Sequence, residues 1–223
     1  MGPAGAVDPA DVVARSRRDY AVGSLDESDL ATHPLRQLER WVADASAAGV
    51  DEPNAMTLAT VDADGRPDAR VVLLRGIRAE DVVWFTDRTS AKGRQLAGAP
   101  HAALVLHWQP LERQVRLRGA VVALDDAASD AYFATRPRGS RLSAWASRQS
   151  QPVASREAYE AAVTAVEARF AGVDDVPRPP GWGGYALTPV EVEFWQGRRS
   201  RRHDRLRMRP DGTGGWTVER LQP

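Results

Sequence analysis

Five short stretches of the chain gather cations and hydroxyls beside turn-forming or small residues. Arg70-Val71-Val72-Leu73-Leu74-Arg75 is an apolar run with basic ends. Phe85-Thr86 precedes Thr89-Ser90-Ala91-Lys92, which puts hydroxyls and a cation where a helix would begin. Arg136-Pro137-Arg138-Gly139-Ser140 sets guanidiniums around a turn, and Gln149-Ser150 follows it. The fifth stretch, Gly197 to Arg205, reads GRRSRRHDR and contains Arg201 and His203. Free N–H groups at a helix N-terminus, flanking hydroxyls and a lysine together suit a phosphate. Each charge-assisted hydrogen bond there is worth roughly 1.5–3 kcal/mol. The Thr89–Lys92 string equally describes an ordinary N-cap followed by a solvated lysine. Arg136 to Ser140 is equally a turn leading into a helix capped by Ser140. Arg198 to Arg209 carries seven arginines against Asp204 alone. That run fits a ligand site, a solvated strand edge or an RNA-contacting patch. Arginines close to His203 would lower its pKa. Two phosphate-type sites in one chain point to a phosphorylated cofactor plus a phosphorylated substrate. Trp145, Trp182 and Trp195 are either flat walls for such ligands or core.

Composition narrows the chemistry. The chain has 223 residues and a mass of 24.3 kDa, long enough for one large domain or two small ones. We expect a flexible tail over residues 1–15 and a single domain over 16–223. There is no cysteine, which excludes disulfides, thiolate nucleophiles and Cys-ligated metals. The four histidines show no metal-like grouping with the carboxylates, so no metal is expected and redox chemistry would need an organic cofactor. Lys+Arg and Asp+Glu both total 30, giving zero formal charge. That balance argues against coating nucleic acid or an anionic membrane. Among the basic residues only Lys92 is lysine; the other 29 are arginine. No apolar run is long enough to span a bilayer, and the N-terminus lacks the order of a signal peptide, so a cytoplasmic location is expected.

The elements that must position these residues follow from periodicity. Leu35, Leu38, Trp41, Val42 and Ala45 predict a helix from Pro34 to Ala48, stopped by Gly49. Met56 to Thr60 and Val71 to Leu74 flank the turn Asp62–Pro67 and predict a hairpin. Strands are predicted at Asp81–Thr86, Ala102–Trp108 and Gln114–Leu124. Helices are predicted at Ser90–Ala97, Asp125–Thr135, Ser140–Ser147 and Ser155–Ala171. Strands resume at Tyr185–Leu187, Glu191–Trp195, Leu206–Arg209 and Trp216–Leu221. That order suggests an α+β fold built on an antiparallel barrel. It lacks the βαβ alternation of a doubly wound nucleotide fold.

The strings RVVLLRG, FTDRTSAKG, LERQVRLRG, YFATRPRGSRLSAWASRQS, WGGY, VEFWQG and RRHDRL occur in that order. In them the chain resembles the pyridoxamine (or pyridoxine) 5′-phosphate oxidase family, from about Arg17 to Pro223. The resemblance implies an FMN-binding split β-barrel acting as a homodimer, with FMN at the subunit interface. It implies oxidation of pyridoxamine or pyridoxine 5′-phosphate to pyridoxal 5′-phosphate, with O2 as acceptor and H2O2 as product. It places FMN contacts on Arg70, Val72, Leu73, Arg75, Phe85, Thr86, Ser90 and Lys92. Further FMN contacts fall on Gln114, Gln149, Ser150, Trp195 and Arg205. Substrate contacts fall on Arg75, Tyr132, Arg136, Ser140, Arg201 and His203, with Arg17 and Tyr20 on a segment that closes over the substrate. Arg201 and His203 would position substrate and assist proton transfer.

Simple geometry would support this grouping. Tyr132, Arg136 and Ser140 share a face if their segment is helical. Arg201 and His203 share a side if theirs is a strand. Two residues depart from the family pattern: Arg75 stands where lysine is usual, and Ala91 where arginine usually precedes the phosphate lysine. The second departure implies weaker FMN binding unless Arg88 or Arg94 compensates. Rival readings are a phenazine-biosynthesis oxidase or deazaflavin-dependent reductase on the same fold, or a non-catalytic module binding pyridoxal phosphate or RNA.

Overall fold

A computed structural model of the chain describes residues 18–223. The expected tail over residues 1–15 and the candidate Arg17 lie outside the described residues. Among the described residues, nine antiparallel strands form one sheet curled into a split barrel, with five α-helices around it. The strands are β1 (Ala55–Val61), β2 (Pro67–Leu73), β3 (Gly76–Arg78), β4 (Asp81–Asp87) and β5 (His101–Trp108). They continue as β6 (Arg113–Ala123), β7 (Trp182–Gln196), β8 (Asp204–Pro210) and β9 (Trp216–Arg220). The helices are α1 (Pro34–Ala47), α2 (Ala91–Gly98), α3 (Asp126–Ala134), α4 (Arg138–Ala146) and α5 (Arg156–Arg169). The sheet runs β2-β1-β5-β6-β7-β4-β3, and β8 joins β7 to β9.

Helix α1 starts where Pro34 occupies the first turn and the His33 ring accepts the Leu35 N–H at 3.3 Å. It stops before Gly49, whose φ of +76° suits glycine. Of its predicted stripe, Leu35, Leu38, Trp41 and Ala45 are buried against the sheet and Val42 is half-buried at its edge. Each large side chain so buried contributes roughly 1.5–3 kcal/mol. Trp41 meets Phe194 and Trp108 edge-on, with centroids 5.2 and 6.4 Å apart. The strand predicted at Gln114–Leu124 is β6, in which side chains alternate: Val115, Leu117 and Val121 face the core, and Arg116 and Arg118 face outward. Helices α4 and α5 pack on a smaller separate cluster around Leu142, Phe170 and Val176.

Three expectations change. The short strand β3 falls in a stretch with no strand predicted. The strands expected at Tyr185–Leu187 and Glu191–Trp195 are one strand, β7, that runs through Thr188-Pro189-Val190. Proline is tolerated there because the β6–β7 register shifts at Arg118/Gly119, opposite Pro189. Helix α4 begins at Arg138 after Pro137, so Ser140 lies inside its first turn and does not cap it.

Along one edge β7 pairs with β6 over nearly its whole length. Its other edge is divided: Trp182–Leu187 pairs with β4, and Val192–Gln196 pairs with β8. The crossover depends on Gly119, where a Cβ would lie 1.9 Å from the Thr188 carbonyl oxygen. Gly119→Ala is expected to cost about 1–3 kcal/mol or more, read as a lowered Tm. Gly98→Ala, which meets nothing within 4 Å in a helix, should leave Tm unchanged or raise it.

Candidate active site

Strands β2 and β4, the start of β7, α2, α3 and the loop after α4 line a cavity of about 310 Å³. Arg70, Val72, Leu73 and Arg75 border it from β2 and the residues after it. Phe85 and Thr86 border it from β4, and Lys92, Tyr132, Arg136 and Gln149 complete it together with Trp182. The WGGY string is required here. A Cβ on Gly184 would lie 2.7 Å from the Phe85 ring, and one on Gly183 would strike the Arg88 guanidinium at 2.4 Å.

Lys92 is the centre of the cation side. It is 8 % exposed, and its ammonium donates to Gln149 Oε1 at 2.8 Å and to Thr86 and Ser90 hydroxyls at 3.3 Å. Among the described residues, no carboxylate stands within ion-pair distance of it. Burial, then repulsion from Arg70, pushes its pKa below the ordinary lysine range. Ser90 both caps α2, accepting the Gly93 N–H at 3.4 Å, and borders Lys92, so the cap and the anion site are one feature. A buried cation ringed by neutral acceptors is what an anionic ligand completes.

At the aromatic side, Phe85 and Tyr132 stack 3.9 Å apart, with Trp182 nearly parallel to both. Arg136 lies over Trp182 at 4.7 Å, and its buried Nη1 has no partner. Burial, and the neighbouring Arg75 charge against an opposing Tyr132 effect, hold its pKa below the usual guanidinium value. Tyr132, Arg136 and Ser140 do not share one helical face. Helix α3 ends at Ala134, Pro137 interrupts the chain, and Ser140 belongs to α4 outside the cavity lining. Ser150 follows Gln149 in a left-handed conformation (φ 69°), exposed and outside this lining. Arg88 and Arg94 do not fill the place of Ala91. Arg88 is turned inward onto the Leu124 and Gly184 carbonyls, and Arg94 donates to the Thr89 carbonyl.

The remaining candidates form a second group. Gln114, Trp195 and Arg205 are cross-strand neighbours in register on β6, β7 and β8. His203 packs on Trp195 at 4.7 Å, and Tyr20 meets both rings edge-on. Arg201 and His203 are not on a strand. Ser200 and Arg201 are both left-handed (φ 55° and 59°) in a short turn, and β8 starts only at Asp204. The His203 Nδ1 accepts the Arg198 N–H at 3.1 Å, which leaves the neutral ring's proton on Nε2. Burial, then the Arg201 charge, lowers the His203 pKa. The arginine run is largely compensated by acids that the linear sequence does not place beside it. Arg205 pairs with Glu193, Arg207 with Glu219 and Arg209 with Glu191, while Arg198 pairs with Asp204 of the run itself. Such cross-strand pairing removes most of the basis for an RNA patch.

Thr86 pairs with Gly183 at one end of β7, while Trp195 stands at the other. Their 12-residue separation is roughly 40 Å of strand. Within one protomer the two groups therefore lie at opposite ends of β7.

A lysine whose folded-state pKa is depressed weakens the ligand-free fold while it is charged. Ligand-free stability should therefore rise as pH climbs from the lowered Lys92 value to the ordinary lysine range. Lys92→Met should abolish that rise and leave the ligand-free Tm equal or higher. The same variant should weaken phosphate or FMN binding about tenfold or more, measured by calorimetry.

Two family models match the chain: pyridoxamine 5′-phosphate oxidase over residues 42–170, and the pyridoxine 5′-phosphate oxidase C-terminal dimerisation region over residues 182–223. A Methylibium petroleiphilum protein named pyridoxine/pyridoxamine 5′-phosphate oxidase is 53% identical over 95% of this chain and 98% of its own length. A Bordetella avium protein of the same name is 54% identical over 95% and 99%. The crystal structure of PhzG from Burkholderia lata 383, in complex with tetrahydrophenazine-1-carboxylic acid, superposes with a TM-score of 0.83. It is 36% identical and covers 91% of this chain and 99% of that one. The chain belongs to the pyridoxamine 5′-phosphate oxidase family of oxidoreductases.

Proposed function

We propose that residues 16–223 act as one catalytic unit that oxidises pyridoxamine and pyridoxine 5′-phosphate to pyridoxal 5′-phosphate in the cytoplasm, with FMN held between two copies of the chain. The observation that carries this reading is one cavity lined by an aromatic stack and two cations that, among the described residues, no carboxylate pairs: Lys92, held by neutral acceptors, and Arg136, whose buried Nη1 has no partner. Two grips suit two phosphates, one on the cofactor and one on the substrate. FMN would supply a two-electron acceptor that O2 restores, releasing H2O2.

Each residue then has a definite task. Lys92, Thr86, Ser90 and Gln149 hold the FMN phosphate, and Arg70, Val72, Leu73 and Phe85 border the cofactor. Ser150, next along the loop, is a further FMN contact. Arg136, Tyr132 and Arg75 grip the substrate phosphate, with Ser140 near the same end. A second copy presents Gln114, Trp195 and Arg205 to the cofactor and Arg201 and His203 to the substrate, because β7 separates the two groups within one protomer. This fits a C-terminal segment that matches a dimerisation region. With Nδ1 occupied, the neutral His203 ring would orient the substrate's exocyclic amine or hydroxyl by a hydrogen bond from its Nε2–H, and the proton that group loses on oxidation would pass to water. Arg201 adds charge without acting as a nucleophile, and Tyr20 closes over both.

A second reading draws on the PhzG likeness: oxidation of a phenazine precursor, which carries a carboxylate and no phosphate. The relatives above 50% identity and the second phosphate grip favour the vitamer phosphates.

The deciding experiment adds pyridoxine 5′-phosphate anaerobically to the yellow, FMN-loaded protein. The flavin absorbance should bleach and return on admitting O2. No bleaching with FMN bound, or bleaching by a phenazine precursor alone, would reverse the choice. Ala91→Arg restores the missing cation and should lower the FMN Kd about tenfold or more. A Kd that does not move would show that the phosphate needs no cation there.

A further inference from the structure

Glu112 is a carboxylate in an unusual place. It sits in the tight connection between β5 and β6 with φ 54° and ψ 38°, a left-handed conformation that side chains disfavour. Its backbone carbonyl accepts the Gly197 N–H at 2.7 Å and Gln196 Nε2 at 3.2 Å, which fixes the turn against the end of β7. Its side chain is 1% exposed. The partners of that buried carboxylate come from the segment before α1. The Val22 N–H donates to Oε2 at 2.9 Å, and Arg18 stands 3.3 Å from Oε1.

Between those two contacts lies Tyr20, edge-on to Trp195 and His203. Gly197 leaves the room for it. A Cβ there would lie 2.8 Å from the Tyr20 ring and 3.0 Å from Glu112 Cβ. Burying a carboxylate is unfavourable unless charge and hydrogen bonds compensate it. Lifting residues 18–22 away would strip Glu112 of both, so the carboxylate draws that segment down.

We propose that Glu112 is a positioning residue. It latches residues 18–22 onto the β5–β6 connection and thereby holds Tyr20 against Trp195 and His203. Its effect on substrate rests on the function proposed above, whereas the latch itself is read without turnover.

The test uses the full-length, FMN-loaded protein. Hydrogen–deuterium exchange over residues 18–24 is measured beside kcat and KM for pyridoxine 5′-phosphate. Glu112→Ala should speed exchange there about tenfold or more, with the Pro34–Ala47 helix unchanged. It should raise KM about tenfold while changing kcat much less. Glu112→Gln keeps an acceptor for the Val22 N–H and should give a smaller effect on both. Gly197→Ala keeps the carboxylate but crowds the Tyr20 ring and Glu112 Cβ, and should reproduce the KM effect. Tyr20→Ala added to Glu112→Ala should raise KM little beyond either single change, because both act through one contact. Unchanged exchange over 18–24 in Glu112→Ala, or KM effects that simply multiply, would overturn the proposal. If Glu112→Ala does not fold, unchanged exchange and KM in Glu112→Gln and Gly197→Ala overturn it equally. If the wild-type protein leaves pyridoxine 5′-phosphate unoxidised, the function fails while the exchange data still decide the latch.

Discussion

Residues Trp182–Gln196 form one strand that serves three neighbours. Strand β6 takes one edge of β7, and β4 and β8 divide the other. The backbone hydrogen bonds of β4, β6 and β8 all depend on this strand staying extended through Pro189. It does so because Gly119 lets β6 approach the Thr188 carbonyl without a side chain between them. The two groups of candidate residues are then fixed at opposite ends of one rigid element. That separation along β7 is a consequence of strand length that no local motif carries.

Charge in this protein is organised by burial. The sum is zero, yet Lys92 is buried with hydroxyl and amide partners, and Arg136 keeps a buried nitrogen without a partner. On the outer face of β6, β7 and β8 arginines are matched. Glu191 and Glu193, nearly buried, are surrounded by Arg116, Arg118, Arg205 and Arg209. Unmatched cations in a cavity and matched ones on the sheet face are what separates a binding site from a basic surface.

The segment before α1 is tied to the same sheet by several independent bonds. Leu25 donates its N–H to Asp204, and Arg220 reaches Asp26, Glu27 and Asp204. Those contacts join the chain's early residues to β8 and β9, beside the turn that carries Arg201 and His203. The short left-handed turn at Ser200-Arg201 gives these side chains a direction that a strand would not.

The sequence by itself determined the local elements. The 3.6-residue stripe of α1, the alternation in β6 and the Ser90 cap are set by short-range sterics and burial, and all appear where periodicity puts them. Ordered motifs also identified the family. Only the tertiary structure decided what is set by distant contacts. Pro189 reads as a break, but a register shift in a strand 70 residues away absorbs it. Tyr132, Arg136 and Ser140 are evenly spaced, yet Pro137 starts a new helix between them. Arg198 to Arg209 looks strongly basic because the compensating acids on β7 and β9 are neighbours across the sheet and far apart along the chain. No spacing in the sequence singles out Glu112; its burial against residues 18–22 exists only once the ends of β6 and β7 meet.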